Sequence, residues 1–243
     1  MLDGGKIAGL IEEAQHKSTA GQHAEAVQLA EEWVPALREE VARGGESATE
    51  ARRLLFAALQ VAGVSLFDQG NLEAAFQSLK EAASVAAELK DMRQVGAAFH
   101  ELARIALEWH NFPQAAELST GAVRADALAG CEPHTAMQGL AIAAQLNGNF
   151  DEAETMLQLV RESCEARGDL ICLGQALHEL GMTAAGRNRL DEAIGYLVKA
   201  MRVKRVSGNT RGFQNTLGIL RQLLERNPGA AGHPLLKHVL ESM

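Results

Sequence analysis

One short pattern recurs five times in this 243-residue chain and fixes what it can fold into. Its fullest copy is Gly148-Asn149-Phe150-Asp151-Glu152-Ala153. The others are Gly21-Gln22-His23-Ala24-Glu25-Ala26, Gly70-Asn71-Leu72-Glu73-Ala74-Ala75, His110-Asn111-Phe112-Pro113-Gln114-Ala115 and Asn188-Arg189-Leu190-Asp191-Glu192-Ala193. Each reads as a tight turn and a helix start. A small or polar residue reverses the chain, most copies place an acid in the first helical turn where the helix dipole favours it, and an alanine packs. Aligned on that alanine, the spacings are 49, 40, 38 and 40 residues. A turn signal repeated at such a period implies an array of helical hairpins, each stacking on its neighbours, rather than a globule around one central core.

Composition agrees. Apolar residues make up 47% of the chain, while aromatics are 4% and prolines number 5, which favours closely packed helices over sheet. The net charge of −8 argues against general affinity for nucleic acid or an anionic membrane. Residues 187–243 carry a balance of +6 and residues 1–186 a balance of −14, so the charge is split along the chain. The first residues lack a basic segment followed by an apolar one, and no apolar run reaches the roughly 20 residues needed to span a bilayer. Three cysteines (Cys131, Cys164 and Cys172) form no disulfide framework on spacing and read as buried, inert thiols. A soluble cytoplasmic protein is expected.

In chain order, a first helix covers 6–20, and a second runs from about 24 to 42 with Pro35 inside it, where a missing backbone donor should kink or split it. Four regular hairpins follow over 47–206, pairing 47–69 with 72–89, 91–109 with 113–129, 134–147 with 151–166 and 170–186 with 190–206. Capping helices fill 210–243, the last starting at Pro234. Asp91 and Asp169 suit helix N-caps, and Gly130, Gly168 and Gly208 suit helix C-termini. Arg167-Gly168-Asp169 is better explained as such a cap pair than as an integrin-type tripeptide.

Leu177-x-x-Leu180-Gly181-x-x-Ala184, followed by Ala193-x-x-x-Leu197 and Ala200, resembles the tetratricopeptide repeat. Small residues recur in first helices at Ala14, Gly63, Ala103, Ala141, Gly181 and Gly218, and in second helices at the aligned alanines. They let neighbouring helices approach closely. The resemblance covers about 6–226; its 38–40-residue spacing is longer than the family's usual repeat and is similar to kinesin light chain, G-protein-modulator scaffolds and bacterial peptide-sensing regulators. It implies an all-α right-handed superhelix of about five and a half hairpins, one solenoid domain over 1–243.

In such repeats the leading helices line a groove, and their aligned positions form a ladder: Ile11, Gln60, His100, Gln138, His178 and Asn215. The next layer is Gln15, Val64, Arg104, Ile142, Met182 and Ile219. Gln, His and Asn at one register can hydrogen-bond an extended peptide, with Val, Ile and Met supplying apolar pockets. The residues expected to carry binding are Gln60, Val64, His100, Arg104, Gln138, Ile142, His178, Met182 and Asn215.

Catalytic chemistry is not expected. His100-Glu101 and His178-Glu179 begin a zinc-protease pattern, but Arg104 and Met182 stand where its second histidine belongs. The cysteines and His134 lack metal-site spacing, and neither common phosphate-binding glycine loop is present, so no metal or cofactor is anticipated. Lys199, Arg202, Lys204, Arg205 and Arg211 read as a solvated basic face without the interleaved aromatics of a nucleic-acid binder. The function expected is a non-enzymatic scaffold or adaptor for a protein or peptide partner, without nucleic acid or membrane. Two alternatives stand beside it: a peptide-gated regulator that changes curvature, and a structural homo-oligomer joining basic to acidic ends.

Overall fold

The computed structural model describes residues 3–131 and 133–236. Among them the chain forms twelve α-helices and one 3-10 helix, so the fold is all-α. In order the helices are α1 (Gly4–Thr19), α2 (His23–Glu31), α3 (Val34–Arg43), α4 (Ala48–Asp68), α5 (Leu72–Glu88) and α6 (Met92–Glu108). They continue as α7 (Phe112–Leu128), α8 (His134–Leu146), α9 (Phe150–Arg167), α10 (Leu170–Gly186), α11 (Leu190–Val206) and α12 (Thr210–Arg226). The 3-10 turn covers Pro228–Gly232. The C-terminal part of the capping region expected over 210–243 lies outside the described residues.

The turns explain the spacing. Gly21, Gly70, Gly130, Gly148, Gly168 and Gly208 all have φ between 67° and 83°, and Lys90, His110 and Asn188 hold the same left-handed conformation without being glycine. Asp91 and Asp169 cap the helices that follow them, accepting from the backbone N–H groups of Gln94 and Cys172 at 3.1 and 3.0 Å. Pro35 does not kink a helix. It sits in the first turn of α3, where its missing N–H leaves no hydrogen bond unmade, and the expected second helix is therefore two helices, α2 and α3.

The chain divides into two units, residues 1–136 and 137–243. In the first, α4 packs on α1, α2, α3 and α5. Its buried residues Leu55, Phe56, Leu59 and Leu66 serve two apolar clusters, one with Ile7, Leu37 and Ala82, the other with Leu79, Leu102 and Ile105. In the second, Ile194, Leu197, Met201, Leu217 and Leu220 form the largest cluster, between α11 and α12. Both units bring helices together on small residues. A Cβ added at Gly63 would lie 2.6 Å from Leu79, and one added at Gly181 would lie 2.8 Å from Leu197, closer than packed atoms tolerate. Among the described residues no helix is long and apolar enough to cross a membrane.

Candidate functional site

The polar ladder falls on α4, α6, α8, α10 and α12, the leading helices. Gln60, Val64, His100, Arg104, Gln138, Ile142 and Met182 are half-buried, and Asn215 is exposed. His178 departs from the expectation: its side chain is only 6% exposed and is engaged internally. The reason emerges from its surroundings, which repeat those of His100 with the charge of one partner reversed.

In the first unit, His100 and Glu101 stand on α6. Arg104, one turn on, donates to Glu101 at 2.6 Å and lies over the Phe67 ring at 4.4 Å. Asp126 reaches this neighbourhood from α7, above Gly96, whose absent Cβ leaves the space its carboxylate occupies. Burial lowers the His100 pKa; Glu101 opposes it, Arg104 adds to it, and Asp126 opposes it more weakly. Burial also raises the Asp126 pKa, with His100 opposing it. Glu101 is thus paired with Arg104, and the cluster keeps contact with solvent.

The second unit holds the equivalent set on α10, α11 and α12. Lys204 takes the place of Asp126, again above a glycine, Gly174, and is 1% exposed. Its ammonium donates to Thr216 Oγ1 at 3.0 Å, and Thr216 Oγ1 donates to the Gly212 carbonyl at 2.9 Å. His178 Nδ1 lies 3.1 Å from the same oxygen, within hydrogen-bond distance. Burial, followed by the Lys204 charge, holds the His178 pKa down to about 4. Glu179 accepts from Gln175 at 2.7 Å, yet burial outweighs both that bond and Lys204 and pushes its pKa up to about 7. Burial lowers the Lys204 pKa in turn. On both sides, loss of water outweighs mutual attraction, as expected for a buried pair. Gln145 on α8 closes the network, donating to the Glu179 carbonyl at 2.9 Å and to Thr183. This polar cluster ties α8, α10, α11 and α12 together; it is structure, not an open binding face.

Each unit also has a groove between consecutive second helices, floored by a leading helix. The groove of α5, α6 and α7 has a volume of about 830 Å³ and an apolar floor of Val95, Phe99 and Leu102. The groove of α9, α10 and α11 measures about 550 Å³ and is lined by Leu173, Leu177, Tyr196, Arg161, Lys199 and Arg202. It is bridged by Gln158, which donates to Tyr196 Oη at 2.8 Å.

Two further expectations need correction. Cys164 and Cys172 are not free thiols but a disulfide, with Cα atoms 5.9 Å apart, joining the end of α9 to the start of α10; Cys131 remains free. Gly168, left-handed, and Asp169, an N-cap, form the turn that brings the two cysteines together. Lys204 does not belong to the solvated basic face, because it continues the inward stripe of Leu197 and Met201. That periodicity is the signal that could have found it.

Residues 133–205 match the family described as tetratricopeptide repeat. No curated protein sequence is significantly similar to the chain. Among solved structures, the fold is similar to the TPR-like repeats of a kinesin light chain from Podosopora anserina, at 20% identity, TM-score 0.67, covering 86% of this chain and 100% of that one. It is also similar to the apo form of RapI, at 10% identity, TM-score 0.68, covering 93% and 87%. A Rap protein complexed with Competence and Sporulation Factor matches at 14% identity, TM-score 0.61, covering 93% and 65%. At these identities the likeness establishes the fold alone.

Proposed function

We propose that this chain, a tetratricopeptide-repeat protein with kinesin-light-chain-like repeats, is a non-catalytic interaction scaffold that holds a peptide or protein segment against its leading helices. The observation that carries this reading is the partial exposure, at one register, of Gln60, His100, Gln138 and Asn215 on four different leading helices. In the adjacent layer Val64, Ile142 and Met182 are also half-exposed and supply apolar contacts. Extended-segment capture draws affinity from backbone hydrogen bonds and selectivity from such side-chain pockets. The complex of a similar fold with Competence and Sporulation Factor lends support, since that relative takes up a bound factor. His178 contributes by holding α10 to α12 rather than by touching the partner.

The test is a four-site variant, Gln60→Ala, His100→Ala, Gln138→Ala and Asn215→Ala, in the full chain. None of these side chains belongs to the buried core, so helix content by circular dichroism should be unchanged. Recovery of native partners from lysate should fall by about tenfold or more, the loss expected when several central contacts are truncated together. Undiminished recovery would show that the leading helices are not the binding face.

A further inference from the structure

We propose that the groove between α5 and α7 is a second docking site, for an amphipathic protein segment that inserts apolar side chains and carries carboxylates on its flanks. The site differs from the leading-helix face in position, chemistry and ligand. Its volume of about 830 Å³ lies in the range of sites that enclose whole side chains. Phe76 and Leu118 wall it from α5 and α7 and, like the floor residue Phe99, are half-buried in the free chain. The groove is deep because α7 carries Gly121, where a Cβ would meet the Phe99 ring at 2.9 Å.

The sister groove of the second unit is smaller, about 550 Å³, and is bridged from wall to wall. There Tyr196 stands at the position of Leu118 and Gln158 at that of Lys80, and their hydrogen bond spans the gap. In the first unit Leu118 and Lys80 cannot make that bond. The groove stays open, with apolar surface that only an incoming side chain would remove from water.

Charge selects the occupant. Lys80 and Arg124 are both exposed at the rim, and among the described residues neither has a hydrogen bond or ion pair. Several other cations of the same unit are matched, Arg38 with Glu81, Arg52 with Glu88 and Arg104 with Glu101; Lys80 and Arg124 differ from these in lying unmatched, among the described residues, on the rim of an apolar groove. Glu117 is the acidic residue of the lining, leaving the rim net positive in a chain of net charge −8. An acid-flanked apolar segment answers both features, whereas a base-flanked one is repelled.

The experiment titrates a synthetic helical probe of roughly 14 residues, with leucine and phenylalanine along one face and glutamates on the flanks, into the full chain. Heat of binding gives the affinity, and Trp109 fluorescence reports the site, since its ring lies 5.0 Å from that of Phe76. Saturable binding with a Trp109 response is expected. The double variant Lys80→Glu/Arg124→Glu, both at exposed positions, should weaken it by about tenfold or more. Ser84→Tyr, an exposed lining position, should also weaken it by narrowing the mouth, while the four-site leading-helix variant should bind the probe as the parent does. Absence of binding, equal affinity for a lysine-flanked probe, or indifference to the rim reversal would overturn the proposal. So would competition between the probe and self-association of the chain, which would give the groove to a second copy.

Discussion

The dipeptide His-Glu occurs on α6 and again on α10, and the two copies serve different ends. On α6, His100 and Glu101 face Asp126 and Arg104 and stay in touch with water. On α10, His178 and Glu179 face Lys204 and are closed off, with exposures of 6% and 8%. The backbone is the same, down to the glycine beneath each partner, Gly96 and Gly174. What differs is the sign of one side chain, the loss of the arginine, whose place Met182 takes, and the gain of Gln145, Gln175 and Thr216, whose counterparts are Phe67, Ala97 and Gln138. A repeat therefore fixes where a side chain stands without fixing whether it is available. One copy keeps its polar groups in contact with solvent; the other uses them to hold four helices together.

The sharpest way to break this comparison is to remove the reversed charge. Lys204→Ala leaves Glu179 buried without its cation and opens space beneath α10, so urea unfolding at pH 8 should show a loss of about 3 kcal/mol. Asp126→Asn in the first unit should leave stability level or raise it slightly, because burial already disfavours the Asp126 carboxylate. Equal losses would erase the distinction between the two copies.

The pH dependence offers a second test. Glu179 binds its proton up to about pH 7 in the fold but only to about 4.5 when unfolded, so its contribution to stability is present at low pH and is lost as pH rises through that window. His178 is neutral in the fold down to about pH 4 but protonates near 6.5 when unfolded, so its contribution is present above 6.5 and is lost as pH falls. Lys204 is the charged group that acts on both, lowering each pKa. Between about pH 4.5 and 6.5 the two slopes oppose each other and cancel. Glu179→Gln removes the falling one, so relative to the parent the variant should gain about 1.4 kcal/mol per pH unit across that range. A parallel pair of stability curves would contradict the assignment.

A smaller effect concerns the staple. Cys164 and Cys172 correspond to Ala86 and Gln94 in the first unit, which has no such link. Reduction should lower the stability of the second unit by about 2 kcal/mol, the scale for a short closed loop, and leave amide exchange in α4–α6 unchanged. The smallest effect is expected from Tyr196→Phe. Losing the bond from Gln158 should cost about 1 kcal/mol by urea unfolding.

The repeat was legible because its turns have local causes. A left-handed glycine at position 148 or an aspartate cap at position 169 acts within a few residues, and the alanines that follow recur at fixed register. The ladder was legible as a register and no further. That His178 is sealed off depends on Thr216, 38 residues away, and on Lys204, which local charge counting places with its exposed basic neighbours. The disulfide escaped spacing rules because they count residues, whereas the Gly168-Asp169 turn folds the two cysteines back on each other. Pro35 was visible as a helix breaker, but whether it would bend one helix or begin another depended on the packing of α3 against α4.

The most direct test of the binding face places a photo-crosslinking side chain at His100 or Asn215, on leading helices, and in parallel at Leu159, exposed on the second helix α9. Irradiated in lysate, His100 and Asn215 should each yield a covalent adduct with a shared partner while Leu159 yields none. Adducts confined to Leu159 would contradict the account.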